Sequence, residues 1–67
     1  MSAIEKRNAL LNNAYEARQD AAEQLRLAAD QLDAGGALDE ANEMISTARV
    51  LLHEAETHMQ AREAVGV

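Results

Sequence analysis

Two histidines bracket two glutamates in His53-Glu54-Ala55-Glu56-Thr57-His58, a stretch whose residue types could hold a metal. A zinc-protease helix needs its histidines at i and i+4, where both imidazoles leave one face toward a single ion. Here the spacing is five, which turns the second imidazole about 140° from the first, at ~100° per residue. The Glu-x-x-His pairs of di-iron bundles are missing as well. His53 is therefore expected in solvent and His58 on a helix flank, without a metal. Nucleophilic chemistry fares no better, because neither Ser2 nor Ser46 has a histidine–acid pair placed to take its proton. Gly35-Gly36 is too short to cradle a phosphate and reads as a helix terminator. Carboxylates are plentiful, but they fall on outward faces, the ordinary place for charge in a coiled coil. The expectation is a chain that is not an enzyme, with no catalytic residue, cofactor or small-molecule substrate.

The elements that carry these residues are helices. Alanine, leucine, glutamate, glutamine and arginine dominate, and proline and cysteine are absent. Ser2 followed by Glu5 matches a capping box, and nothing from Ala3 to Ala34 breaks a helix. The spacing predicts helix 1 over about 3–34, a Gly-Gly turn at 35–36 and helix 2 over about 37–64, with Asp39 and Glu40 in its first turn. Gly66-Val67 is expected to fray. So short a connection makes the helices antiparallel neighbours, an all-α hairpin in one domain, 1–67.

A heptad runs through both helices. With Ile4 at a, the a series is Ile4, Leu11, Arg18, Leu25 and Leu32, and then Leu38, Ile45, Leu52 and Met59. The d series is Arg7, Ala14, Ala21 and Ala28, and then Ala41, Ala48, Ala55 and Arg62. Antiparallel pairing about the turn sets a against d at a constant numerical sum of 73. Leu25 then faces Ala48, Leu52 faces Ala21 and Ile45 faces Ala28. Large against small fills such layers without voids, as Ala-rich coiled-coil packing should. Arg18 interrupts the stripe, either as a stem lying on Ala55 or as a device that fixes register.

At 67 residues one core supplies little stability, and no disulfide or thiolate metal site can add to it. The g flank still carries apolar groups, so Leu10, Ala17, Met44, Leu51, His58 and Val65 are the expected interface of a homodimer, a four-helix bundle. A monomer completed by another protein is the rival. Leu27 and Val50 occupy outward c and f positions and are candidate partner contacts. Asp30, Asp33, Asp39, Glu40 and Glu43 make a turn end with no Lys or Arg between Leu27 and Ala48. Asp39 and Glu40 suit a helix N-terminus, whereas Asp30 and Asp33 oppose the dipole at a helix C-terminus. The acidic tip is thus a further candidate contact, for a basic surface of the partner.

Twelve acids against six Lys/Arg give a net charge of −6 and a pI near 4.6, which disfavours nucleic acid and anionic membrane. No apolar run reaches the ~20 residues of a membrane span and no signal segment opens the chain, so a complete, soluble, cytoplasmic protein is expected. Ala-rich acidic helices without an enzyme motif, ending Gln60-Ala61-Arg62-Glu63-Ala64-Val65-Gly66-Val67, resemble the host-takeover accessory proteins of temperate bacteriophages. That resemblance implies a helical hairpin that binds and inhibits a protein of the bacterial host. The helix–short turn–helix plan also resembles Rop-like RNA-binding dimers. However, Lys6, Arg7, Arg18 and Arg26 are spread over several faces of helix 1 and make no basic stripe. An assembly subunit acting through self-association is the remaining alternative.

Overall fold

The computed structural model describes residues 2–65, and the expected fraying of Gly66-Val67 lies outside them. Two helices, α1 (Ala3–Asp33) and α2 (Leu38–Ala64), pack against each other, with no strand among the described residues. The hairpin is a rod whose Cα extents are 50 × 13 × 12 Å.

Each end of α1 is set by local chemistry. The Ser2 hydroxyl accepts the Glu5 N–H at 3.2 Å, which satisfies one of the four unpaired donors of a helix start. At the other end Gly35 takes φ +74°, a left-handed conformation that a side chain would strain. The Gly36 N–H then donates to the Gln31 carbonyl at 2.8 Å and the Gly35 N–H to Leu32 at 3.1 Å, a Schellman closure. Gly36 is needed for space, since a Cβ there would come within 2.9 Å of the Gln31 carbonyl oxygen. The Gln31 side chain crosses the turn and donates to Glu40 at 2.7 Å, tying α1 to the first turn of α2. No side chain caps α2, whose N-cap is Ala37, so Asp39 and Glu40 are the groups that answer its dipole.

The interior is made of alanine. Ala14, Ala21 and Ala28 of α1 and Ala41, Ala48 and Ala55 of α2 are 3 % exposed or less, and every one is a d residue. Ala17 joins Ala14 and Ala55 in one buried cluster, with Met59 packed against it, a grouping that keeps the turn-centred register. The leucines expected opposite these alanines are not enclosed: Leu11, Leu25, Leu32 and Leu52 remain 41–47 % exposed. The reason is steric. With alanine at d on both helices, the backbones approach most closely along the d line, and a leucine cannot fit between them. The a side chains are displaced to one flank and the g side chains to the other, each about 50° around the helix from the contact line. Layers of large against small are thus replaced by a methyl seam with two flanks, and no side chain larger than alanine is buried among the described residues.

Candidate functional site

The two flanks differ in chemistry. On one, the a residues of both helices stand together with the e residues beyond them. Of nine large hydrophobic side chains exposed among the described residues, seven lie here: Ile4, Leu11, Tyr15, Leu25, Leu32, Leu38 and Leu52. Scattered exposed leucines are ordinary on any protein, but these are aligned on one face. Two shallow open grooves run along this face. Leu11, Tyr15, Ala22 and Met59 line the first, and Leu52, Ala55, Met59 and Glu63 the second. Arg18 borders both and so stands at the centre of the stripe. Tyr15 presents its ring to solvent while its hydroxyl accepts from Gln19 at 2.7 Å.

The opposite flank holds the residues expected to form a dimer interface. Leu10, Met44, Leu51, His58 and Val65 are half-buried there, and Ala17 is enclosed within the hairpin itself. A depression on this flank is polar, bordered by Asn13, Glu16, Asp20, Glu54 and His58 around Ala17 and Leu51. The apolar groups of this flank are fewer and more covered than those of the a/e face, because Gln24 and Gln31 take two of its g positions.

At the turn end, Asp30, Asp33, Asp39, Glu40 and Glu43 are all exposed, and the last turn of α1 carries no basic residue. Apart from the Gln31–Glu40 hydrogen bond, the tip offers bare carboxylates. Leu27 and Val50 are exposed on different helices, at c of α1 and f of α2, and belong neither to the stripe nor to one common patch. At the open end Ile4, Arg7, Asn8 and Arg62 surround a small depression. The Arg62 Nε is buried without a hydrogen-bond partner among the described residues. Sequence reasoning missed the a/e face by assigning its leucines to the interior. The available signal was alanine at d in both helices, which brings the backbones together there.

His53 is exposed and His58 half-buried. No group of three or more His, Asp or Glu side chains among the described residues is arranged to hold a metal. No helix is long and apolar enough to cross a membrane among those residues. No protein-family model, curated protein or solved structure matches the chain.

Proposed function

We propose that the chain is a non-enzymatic protein-binding module that pairs with itself into a four-helix bundle and inhibits a bacterial host protein by covering part of its surface. It would act in the host cytoplasm, as the phage-type inhibitors it resembles do. The observation that carries this reading is the aligned apolar face of Leu11, Leu25, Leu32 and Leu52 on a rod whose own interior is alanine alone. Such a surface serves association, and its open grooves enclose no volume in which a substrate would be shielded from water. Self-pairing would leave the acidic tips, Leu27 and Val50 outside the bundle, where Asp30, Asp33, Asp39, Glu40 and Glu43 can meet a basic partner surface.

Affinity capture from a bacterial lysate, followed by binding of the purified captured protein, tests the reading. A saturable complex with one host protein, inhibiting its activity, is the expected result. Salt-sensitive retention of RNA in its place would point to a Rop-like role. The apolar face also favours a second reading, an assembly subunit whose self-association is its function. Growth of the scattering mass beyond two chains, with no captured partner, would identify that alternative.

A further inference from the structure

We propose that a second copy of this chain docks on the a/e face with its long axis reversed, so that the twofold axis of the dimer passes through Arg18. The inference deepens the self-pairing just described and rests on it. Burial gives the first argument. The stripe from Ile4 to Leu32 is about 42 Å long at 1.5 Å per residue. A rod of 50 × 13 Å offers a flat footprint of about 650 Å², before side-chain relief is added. A standard stable interface takes roughly 800 Å² from each partner, so the whole face is the area required.

Charge selects the orientation. Two such hairpins can pack with their turns together or at opposite ends. Turns together would gather the five acids of each tip with no Lys or Arg between Leu27 and Ala48 on either chain. Reversal sets each tip beside the open end of the other copy, where Lys6, Arg7 and Arg62 outnumber Glu5 and Glu63.

Arg18 fixes the register. It is the midpoint of the α1 part of the stripe, fourteen residues from Ile4 and fourteen from Leu32. In a reversed pair only the midpoint residue meets its own counterpart. Glu56 borders the same groove as Arg18, so a twofold axis there brings together two arginines and two glutamates with no net charge. A slip of one heptad would set Arg18 against Leu11 or Leu25 of the other copy, an unpaired charge in an apolar setting.

The test uses the full chain and light scattering across a concentration series. Wild type should show the mass of two chains, Leu25→Glu that of one with its helical circular dichroism retained, and Leu51→Glu that of two. Arg18→Glu should also give one chain, and Arg18→Glu with Glu56→Arg should restore two, a rescue that loss of folding cannot imitate. The chain has no cysteine, so Asp33→Cys admits a single spin label. Asp33 lies fifteen residues from Arg18, so reversal places the two labels about 45 Å apart at 1.5 Å per residue. A separation under about 25 Å would mean turns together and overturn the reversed arrangement, since adjacent helices lie ~8–10 Å apart. A dimer broken by Leu51→Glu and indifferent to Leu25→Glu would overturn the a/e face and leave self-pairing intact. A wild-type mass of one chain at every concentration would overturn both.

Discussion

Ala48→Leu separates the two ways in which this heptad could pack. Ala48 is 1 % exposed and, by the turn-centred register, lies between the levels of Ala21 and Ala28 on the closest line of the two helices. Leucine adds three carbons where methyl meets methyl, so the helices must part or the side chain must leave its rotamer. Overpacking of this kind costs ~1–3 kcal/mol. For a chain of this length one kcal/mol moves the melting temperature by roughly 4–8 °C, so a fall between about 4 and 24 °C is expected by circular dichroism. The decisive variant is the exchange Ala48→Leu with Leu25→Ala. If Leu25 filled a layer opposite Ala48, exchanging large for small would conserve volume and recover most of the loss. In the methyl seam Leu25 stands on the flank, 44 % exposed, and its removal makes no room on the contact line. The exchanged chain should therefore melt no higher than Ala48→Leu alone. Recovery of wild-type stability, or a single variant that melts at or above wild type, would refute the alanine seam.

Gly35→Ala forces a side chain into φ +74° and should cost ~1–2 kcal/mol, read as a lower urea midpoint with an unchanged slope. Ser2→Ala removes the acceptor of the Glu5 N–H and should cost about 1 kcal/mol, with faster amide exchange confined to the first turn of α1. Asp30→Asn with Asp33→Asn relieves the C-terminal dipole of α1 by ~0.3–1 kcal/mol for each residue, so the melting temperature should rise, most at low salt. If the tip docks on a basic partner, the same variant should bind that partner more weakly at low salt. Leu27→Ser with Val50→Ser should leave the unfolding free energy within about 0.5 kcal/mol of wild type, as surface changes do. Undiminished binding of the captured partner by this last variant would remove both residues from its surface.

Much of the fold is written in single residues. Ser2 with Glu5, and Gly35 with Gly36, mark the ends of α1 because each answers a local hydrogen-bonding need that no distant contact alters. The register was legible for the same reason, since a four-residue connection leaves the helices no freedom to slide. Rotation of the helices about their own axes was harder to read. An a/d stripe fixes the buried side only to within the ~50° that separates neighbouring columns, and side-chain size decides which column meets the partner helix. Leu25 and Ala48 have compatible heptad letters under either rotation, so periodicity could not choose between them. The same ambiguity hides the apolar face, whose leucines periodicity alone places in the interior. Exposure of the acidic tip was legible, because five carboxylates beside a turn have nowhere drier to go.

The seam of methyl groups has a consequence for how such a molecule can change. Among the described residues its interior draws on one residue type, six of the seven at a seven-residue interval, and no flanking side chain larger than alanine is buried. If the rod binds as proposed, replacement of Leu11, Leu32 or Met44 by a side chain of another shape would alter what it grips while leaving its backbone geometry in place. Scaffold and specificity would then be held by separate columns of the heptad. A hairpin built this way can turn toward a new partner through substitutions that each cost little stability, a freedom denied to a small protein whose recognition residues also fill its core.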